Sequence, residues 1–394
     1  MKDTRRIASL CTVMLVVIIS GCQEPSIEPY QIEFGEPVVL EADPHRSANA
    51  EIADFNRDGH QDVALAIGRH WEGQNTVLFG DGTGGFSRVD TLSNPGDRTY
   101  SMSAADMDGD GDLDLVVSND RPDANYVLFN DGSGGFMERL EFGDADWPTR
   151  NSTVVDIDND GRPDILVANR SGDPRTEAIE PGSLALGGDN YICLNQPGSP
   201  IQIDCQAFSS GSATTIAATD LNSDAMVDLI VPYRDGGQSH VFLGDGSGSF
   251  SEYIPFGPDN ASFRAALAVD ANRDGRMDIV AINDRERSTT LFLQIEPFGF
   301  DAGERIDHGE SIPYALEVAD LNGDSHDDII VGYRQAPSIL FVNGASALEP
   351  HVFGDSLGAA YGYGIGDVDG NGRVDIAVAR SGASDLLFLS ARSR

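Results

Sequence analysis

Lysine is almost absent from this sequence. Lys2 is the only lysine among 394 residues, and Lys and Arg together number 26 against 64 Asp and Glu, so the formal net charge is −38 at pH 7. Binding to nucleic acid requires a basic surface that neutralises phosphates. The composition therefore argues against a nucleic-acid partner, although an excess of acid would by itself also serve solubility.

Extended apolar runs are also scarce, and the main one comes at the start of the chain. It occupies residues 7–19, after Lys2, Arg5 and Arg6 and before Ser20-Gly21-Cys22. This order is typical of an export signal, and its end resembles the lipobox of bacterial lipoproteins. The run is short and early for a membrane-spanning helix, and the alternative is an uncleaved anchor. We expect residues 1–21 to be a signal peptide.

The lipoprotein resemblance implies that Cys22 becomes the lipidated first residue of the mature chain. Two or more acyl chains give stable attachment to a membrane, and residues 22–31 would then be a short tether. Gln23 follows the cysteine, which in Gram-negative lipoproteins implies the outer membrane or cell surface of a bacterium. We expect an exported monomer that contacts the membrane through Cys22.

Signals for catalysis are few. The seven histidines show no HExxH or comparable zinc spacing. Residues 354–358, Gly-Asp-Ser-Leu-Gly, match a nucleophile-elbow pattern, but they fall between two repeats, where no strand-to-helix turn is expected. No histidine follows them in the chain. The sequence therefore predicts no catalytic residue.

A nine-residue acidic pattern occurs seven times, with successive starts 47 to 64 residues apart. Positions 1 and 9 are always Asp, position 3 is Asn or Asp, and position 5 is Asp in all copies but one. These are the hard oxygen donors that calcium prefers, and position 7, which shares no side-chain chemistry, would supply a backbone carbonyl. The predicted ligands, at positions 1, 3, 5, 7 and 9 of each copy, are Asp54, Asn56, Asp58, His60, Asp62, Asp106, Asp108, Asp110, Asp112, Asp114, Asp156, Asp158, Asp160, Arg162, Asp164, Asp220, Asn222, Asp224, Met226, Asp228, Asp270, Asn272, Asp274, Arg276, Asp278, Asp320, Asn322, Asp324, His326, Asp328, Asp367, Asp369, Asn371, Arg373 and Asp375.

Position 6 is Gly in five copies, where the chain must turn sharply around an ion, but it is Ala225 in the fourth copy and Ser325 in the sixth. We expect these two sites to be weaker or distorted, and the copies beginning at Asp106 and Asp156 to bind best. An EF-hand would need Glu at position 12 and flanking helices, whereas Leu65 stands there in the first copy. A single match would be an ordinary Asp/Gly turn, but seven in phase predict up to seven structural calcium sites.

Each acidic loop belongs to a larger repeat of four strands. In the second copy we predict strands at residues 98–105, 113–118, 125–130 and 136–142, with a Gly-rich turn at 131–135. Four strands per unit, repeated radially, form propeller blades. Because loop, strands and turn recur together over about residues 32–394, the chain resembles the FG-GAP/VCBS repeat family, the bacterial relatives of the integrin α-subunit propeller. The resemblance implies an all-β, seven-bladed propeller with calcium between the first and second strands.

The two ends of this repeat region are complementary. The last unit has no fourth strand after residues 386–389, whereas residues 34–40 precede the first inner strand, where each other unit has its fourth strand. We expect residues 34–40 to pair with residues 384–390, which would close the ring and remove an open sheet edge.

The third unit carries an insertion between Asn169 and Tyr191, which is either a functional loop or a tolerated surface insertion. Beyond it, Cys193 and Cys205 are equidistant from Ser199 in a Gly/Pro turn. We expect them to face each other across a hairpin and form a disulfide, which an exported protein permits.

Arginine or tyrosine recurs where second strands end and first strands begin. We hypothesise a ring around the mouth of the central channel, on the face opposite the acidic loops, that meets an anionic or sugar-like ligand or a protein. Arg offers bidentate contacts to carboxylates and Tyr a flat amphipathic surface. The alternative is that these arginines hold blade-edge carbonyls or pair with surface Asp. The ligand-face candidates are Tyr100, Arg150, Arg170, Arg264, Tyr314 and Tyr361.

Two functional classes remain open. The first is a non-enzymatic, calcium-stabilised propeller for binding, adhesion or protein interaction, whose partner is an unidentified protein or glycan. The second is a carbohydrate-active enzyme of the polysaccharide-lyase kind, because some propellers have this activity. The second requires a basic cluster with Tyr or His at the channel mouth, and the sequence alone shows no decisive set.

Overall fold

The computed structural model describes residues 31–41, 43–92, 96–170, 189–198, 200–307 and 309–391. These residues form seven four-stranded antiparallel sheets, the blades of a β-propeller. The predicted fold class, all-β with seven four-stranded blades, is confirmed. Among the residues that the structure describes, none belongs to a helix with the length and apolar character needed to cross a bilayer.

The blades are numbered along the chain, and the strands of each blade run from the channel outwards. The strands are Ser47–Ala53, Asp62–Ile67, Thr76–Gly80 and Phe86–Thr91 in blade 1; Thr99–Ala105, Asp114–Asn119, Asn125–Asn130 and Phe136–Phe142 in blade 2; Thr149–Val155, Asp164–Asn169, Asp189–Gln196 and Gln202–Ser210 in blade 3; Ala217–Thr219, Asp228–Val231, Ser239–Leu243 and Glu252–Phe256 in blade 4; Phe263–Val269, Asp278–Asn283, Ser288–Phe292 and Glu304–Arg305 in blade 5; Pro313–Ala319, Asp328–Tyr333, Ser338–Asn343 and Leu348–Phe353 in blade 6; and Ala359–Gly366, Asp375–Ser381, Leu386–Phe388 and Val38–Val39 in blade 7. Blade 5 also carries a small hairpin of Gln294–Ile295 and Gly299–Phe300.

The fourth strand of blade 7 comes from the N-terminal part of the chain. Val38–Val39 pairs with the third strand, Leu386–Phe388, in antiparallel register. Backbone hydrogen bonds extend the contact on both sides, from Gly35 N to the carbonyl oxygen of Leu389 at 3.1 Å and from Leu40 N to that of Asp385 at 3.0 Å. The first and last described segments therefore share one blade, and the ring is closed by main-chain pairing.

The second strand of every blade is buried along its whole length or nearly so. Its aliphatic residues pack against the neighbouring blades on both sides, which explains why these runs lack the polar–apolar alternation of a half-exposed strand. Seven apolar clusters result, one between each adjacent pair of blades, including blades 7 and 1. The core is thus a ring of inter-blade contacts.

The junction of blades 7 and 1 is especially close. A Cβ atom added to Gly362 would lie 2.7 Å from the carbonyl oxygen of Ala48, and one added to Gly364 would lie 3.0 Å from the side chain of Ile52. Glycine at these positions lets the inner strands of the two blades approach each other, which permits the ring to close.

The antiparallel strand order gives the propeller two distinct faces. The acidic loops between first and second strands and the turns between third and fourth strands lie on one side, which we call the loop face. The connections between second and third strands and those between blades lie on the other, which we call the mouth face. Candidate metal ligands and candidate ligand-binding residues are therefore separated by the length of the strands.

Candidate functional site

The seven acidic loops share one pattern of internal hydrogen bonds. In the first loop Asp54 accepts from Gly59 N at 2.9 Å, Asn56 accepts from Asp58 N at 3.0 Å, and Asp58 accepts from His60 N at 2.9 Å. The bond from position 6 to position 1 recurs in all seven loops. These bonds wrap the loop backbone around its own carboxylates.

Three loops bring their carboxylates together. In each, single oxygen atoms from the aspartates at positions 1, 3 and 9 lie within 4.8 Å of one another. The other four loops have Asn at position 3, whose amide oxygen is also a hard donor. The three groups are Asp106, Asp108 and Asp114; Asp156, Asp158 and Asp164; and Asp367, Asp369 and Asp375.

The aspartate at position 9 has a structural role that the sequence did not reveal. Asp114 is buried, and its two carboxylate oxygens accept hydrogen bonds from Met107 N and Asn130 N, both at 2.9 Å. The equivalent carboxylate in every blade ties position 2 of its loop to the end of the third strand. Burial raises the pKa of Asp114 to about 6, and the nearby Asp108 and Asp110 carboxylates act in the same direction.

The loops with Ala225 and Ser325 at position 6 keep the shape of the glycine-containing loops. Both residues adopt a left-handed backbone with φ of 66°. Their amides donate to Asp220 at 2.9 Å and to Asp320 at 2.8 Å, as in the other copies. The expected distortion is therefore not observed. The loop hydrogen bonds impose the turn, and the two residues adopt a left-handed backbone in which Cβ crowds the following carbonyl oxygen. Weaker binding at these two sites stays a prediction.

Side-chain amides clamp four of the loops to the following blade. Asn130 of blade 2 donates to the carbonyl oxygen of Phe55 in the loop of blade 1 at 2.7 Å, and Asn195 of blade 3 donates to that of Met107 at 2.8 Å. Gln294 and Asn343 make the corresponding bonds from blades 5 and 6. Sequence reasoning missed these residues, although an amide directly after or at the end of a third strand was available as a signal.

On the mouth face, a β-bulge interrupts the first strand of six blades. Each bulge inserts one extra residue opposite the second strand, and a bulge re-aims the side chain it carries. The extra residues are Ala48, Tyr100, Arg150, Arg264, Tyr314 and Tyr361. Thr214 holds the corresponding place in blade 4. These seven residues, the mouth ring, all line a cavity of ≈ 130 Å³ at the channel mouth.

Five of the six predicted ligand-face residues therefore come together in the mouth ring. Arg170 does not line this cavity. Its guanidinium instead pairs with Asp235 at 3.2 Å, as the alternative predicts. The other two arginines also make contacts of the alternative kind, since Arg150 pairs with Asp120 and Arg264 donates to the carbonyl oxygen of Tyr314.

A hydrogen-bonded chain supports one side of the mouth ring. The Tyr100 hydroxyl lies 2.7 Å from His70 Nε2, and His70 Nδ1 lies 2.7 Å from Asp120, which also accepts from Arg150 at 2.8 Å. Burial lowers the pKa of His70, although its bond to Asp120 acts in the opposite direction. Burial alone would raise the pKa of Asp120, but His70 and Arg150 outweigh it and lower that pKa. The shifts favour a neutral imidazole and an ionised Asp120 carboxylate.

The other side of the mouth ring stacks cations on aromatic rings. The guanidinium carbon of Arg264 lies 4.4 Å from the ring centre of Tyr314 and 5.1 Å from that of Tyr361, and Arg69 lies 3.8 Å from the ring centre of Tyr361. Arg264 is only 7% exposed. In the described parts of the chain, neither Arg264 nor Arg69 has a carboxylate partner.

Two glutamates lie on inner strands below the ring. Glu317 lines the mouth cavity, and the Glu51 carboxylate accepts from Ala104 N at 3.3 Å. Both are half-buried within the channel. Burial raises the pKa of each to about 7. The charge of Glu317 adds to the increase at Glu51.

The remaining predicted features lie away from both faces' centres. Cys193 and Cys205 pair directly across the third and fourth strands of blade 3, and their sulfur atoms are bonded. The segment 354–358 connects blades 6 and 7, where Asp355 pairs with Arg380 at 2.7 Å. Cys22, the tether and the insertion at 171–188 lie outside the described residues.

Comparison with family models gives matches along the propeller. A model described as FG-GAP-like repeat matches residues 54–117, 106–167 and 220–281, and one described as FG-GAP repeat matches residues 313–348. Together these matches cover more than half of the chain. None of the curated proteins matches this sequence.

Solved structures with the same architecture share little sequence with this chain. BBS1N in its complex with ARL6DN has a TM-score of 0.62 at 10% identity, over 92% of this chain and 97% of that one. An Agrocybe aegerita lectin described as recognising non-reducing terminal N-acetylglucosamine has a TM-score of 0.55 at 16% identity, over 78% and 80%. The Dos1 propeller has a TM-score of 0.55 at 9% identity, over 88% and 78%. At these identities the likeness concerns the fold alone.

Proposed function

Because the chain belongs to the FG-GAP repeat family, we propose that it is a calcium-stabilised β-propeller that serves as a binding scaffold. The observation that carries the proposal is the convergence of carboxylates in three of the seven acidic loops, all of which lie on one face and share one hydrogen-bond pattern. The test is thermal unfolding of the full chain with calcium and with a chelator. A melting temperature that does not change between the two conditions would overturn the calcium assignment.

The loop residues fit a calcium ion in chemistry. Positions 1, 3, 5 and 9 would supply side-chain oxygens and position 7 a carbonyl oxygen, which makes five of the six to eight oxygen ligands that calcium takes. A bidentate carboxylate or water would complete the set. Burial is the main cause of the raised pKa of Asp114, and repulsion from Asp108 and Asp110 adds to it. A divalent cation would relieve that repulsion. In the third and fifth loops, Arg162 and Arg276 contact the position-5 carboxylates, so these side chains would have to turn away as the ion binds.

The proposed role of calcium is structural. Extracellular calcium modules bind with dissociation constants of about 10⁻⁴–10⁻³ M. At roughly 1 mM calcium each site would stabilise the fold by about 0.4–1.4 kcal/mol, and seven sites by about 3–10 kcal/mol. That range is comparable to the whole stability of a typical domain.

We further propose that the protein is exported and attached to a membrane through lipid on Cys22. The support is the order of charged start, apolar run and Ser20-Gly21-Cys22 in the sequence. Metabolic labelling with a radioactive fatty acid tests this: the wild-type chain should carry label and Cys22→Ser should not. Equal labelling of the two chains would contradict the proposal.

The binding surface proposed for this scaffold is the mouth face. Its support is the mouth ring, in which one residue per blade converges on one cavity. Propellers of the same fold include one crystallised with a protein and one described as a sugar-recognising lectin. We therefore propose a role in protein interaction, glycan binding or adhesion, with the acidic loops holding the ring and the opposite face making the contacts.

A second candidate function, polysaccharide lyase activity, gains one specific observation. The hydrogen-bonded series Tyr100, His70 and Asp120 places an imidazole against a phenol at the channel mouth, and both groups can take part in acid–base catalysis. Incubation with a panel of acidic polysaccharides, followed by the absorbance of unsaturated uronate products, tests it. Product formation that is lost in Tyr100→Phe would favour the enzyme, and the absence of product across the panel would favour the scaffold.

A further inference from the structure

We propose that the mouth face binds the carboxylate of a uronic acid residue in an acidic polysaccharide. The site is a groove of ≈ 430 Å³ beside Tyr314 and Tyr361, which also includes Arg69, Arg334, Gln335 and Ser381. We call it the Arg/Tyr groove. This inference rests on the proposed role as a binding scaffold and names the ligand class of its mouth face.

The first observation is the absence of acid from the walls of the Arg/Tyr groove. None of its described lining residues is Asp or Glu, although the chain has 64 acidic residues. Other grooves of comparable size in the described chain include acids, such as Glu41 and Glu72 in one and Asp108 and Asp110 in another. A groove free of negative charge in so acidic a protein is suited to an anion.

The second observation is that the cations here lack carboxylate partners. Several mouth-face arginines pair with aspartate, as Arg150, Arg234 and Arg380 do. Among the described residues no carboxylate pairs with Arg69 or Arg334, which line the groove, or with Arg264, which lines the adjoining mouth cavity. Arg334 is exposed, whereas Arg264 is buried. Burying a charge without a counter-ion is costly, and for Arg264 this cost is explained where a ligand supplies the counter-ion.

Other arginines of the mouth face lie close enough to interact. Burial lowers the pKa of Arg234 to about 10, and the nearby guanidinium groups of Arg264 and Arg170 contribute to the decrease. Arg264, which stacks on two tyrosines of the groove, is thus part of a larger group of cations.

The geometry favours a carboxylate over a phosphate. Because the guanidinium carbons of Arg69 and Arg264 lie 3.8 and 5.1 Å from the same ring centre, they are at most 8.9 Å apart. Guanidinium groups form paired N–H bonds with carboxylates and phosphates alike, so the backbone around the groove is what distinguishes the two anions. Phosphate sites typically use free backbone amides, whereas the amides of Arg69 and Gln335 already donate to Thr99 and Gly358.

The polar lining indicates that the carboxylate is carried on a sugar. Gln335 and Ser381 offer an amide and a hydroxyl on the groove wall, and the Tyr314 and Tyr361 rings, tilted by 36° to each other, form an aromatic side. Hydroxyl-bearing rings match such a surface, which has little apolar area for a peptide side chain to bury. The proposed ligand is therefore a uronate residue bound through its carboxylate and hydroxyl groups.

The test is calorimetric titration of the full chain, in detergent and calcium, with trigalacturonate. Galactose oligomers of equal length serve as the neutral comparison and a sulfated galactose oligomer as the non-carboxylate anion. We expect binding of trigalacturonate alone, with an affinity that falls as salt is added. Arg264→Gln and Arg69→Gln should each weaken it by about tenfold or more. Arg139→Gln, an exposed arginine on the outer strand of blade 2 that pairs with Glu141, should leave it within about twofold.

Several results would overturn the inference. These are no binding of trigalacturonate, equal binding of the neutral or the sulfated oligomer, or an equal loss in Arg139→Gln. Because Arg264 is buried, its variant is first compared with wild type by thermal unfolding, and the partly exposed Arg69 provides an independent variant if the first does not fold. A chain that is stabilised by calcium but does not bind trigalacturonate would defeat this inference and leave the calcium scaffold intact.

Discussion

Arg264 donates from Nε to the carbonyl oxygen of Tyr314 at 2.7 Å, and its guanidinium carbon lies 4.4 Å from the centre of the Tyr314 ring. The contact joins blades 5 and 6 and holds the side chain in place without neutralising its charge. Arg150 occupies the equivalent bulge in blade 3 but pairs with Asp120 at 2.8 Å. Two arginines at the same position of the repeat thus differ in one respect, a buried counter-ion.

This difference predicts opposite effects on stability. Arg150→Met would leave Asp120 buried with one partner fewer, and we expect a loss of about 3–5 kcal/mol in the free energy of unfolding. Arg264→Met removes a buried charge that has no counter-ion, so we expect a change of less than about 1 kcal/mol. Chemical denaturation of both variants in calcium checks the pair. Equal losses would mean that Arg264 is a structural residue.

Removing calcium should destabilise the whole ring. We expect the melting temperature in chelator to fall by roughly 10 °C or more, because several kcal/mol of site binding energy would be lost. Differential scanning calorimetry at several calcium concentrations measures the effect. Magnesium at the same concentration is the control, since it requires a tighter octahedral site and should restore little of the loss.

The individual loops should contribute unequally. Asp108→Ala removes a carboxylate from a loop that has four of them and glycine at position 6, whereas Asp220→Ala alters a loop with Asn222 and the strained Ala225. We expect the first variant to lower the melting temperature in calcium more than the second. In chelator the difference between the two should shrink, because neither site would then be filled. A larger loss from Asp220→Ala would contradict this ranking of the loops.

The aspartate at position 9 of the acidic loop should stabilise the fold even without calcium. Asp114→Asn replaces one accepting oxygen by an amide nitrogen, so that either Met107 N or Asn130 N loses its buried acceptor. We expect a loss of about 1–3 kcal/mol that persists in chelator. Asp108→Ala is the matched comparison, because its exposed side chain should have little effect once calcium is removed. If Asp114→Asn unfolds like wild type in chelator, position 9 acts as a metal ligand alone.

The sequence was sufficient to predict the repeat and its architecture. Seven aspartate patterns in phase set the number of blades, and the predicted strands of the second repeat differ from the observed ones by one residue at most. Local signals carried this information, since Asp and Gly mark the loops and apolar runs mark the buried second strands. The shape of the loops with Ala225 and Ser325 was not predictable in this way, because the hydrogen bonds to position 1 override the local preference of the side chain.

The mouth ring was predictable only in part. Arginine and tyrosine near the first strands were visible, but the bulges at Tyr100, Arg150 and Arg264 have no adjacent Gly or Pro to mark them. Pro313 and Gly362 do flank the bulges at Tyr314 and Tyr361, but neither residue type is specific to a bulge. Which arginines have a carboxylate partner depends on contacts between blades, and these are distant in the sequence. The same holds for His70, whose place between Tyr100 and Asp120 joins residues from two blades.

The channel glutamates predict a pH dependence with a definite sign. The pKa of Glu317 is raised to about 7 in the folded protein, above the value near 4.3 expected for an unfolded chain. Between these values the native state retains a proton that the unfolded state has lost, so stability falls as the pH rises from about 5 to about 8.

Glu317→Gln removes this titration and also the charge that raises the pKa of Glu51. We expect the variant to melt close to wild type at pH 5 and above it at pH 8, by an amount on the order of 2 kcal/mol in unfolding free energy. Glu138→Gln, on the exposed outer strand of blade 2, is the control and should follow wild type at both pH values. A Glu317→Gln variant that is less stable than wild type at pH 8 would show that the ionised carboxylate is needed in the channel.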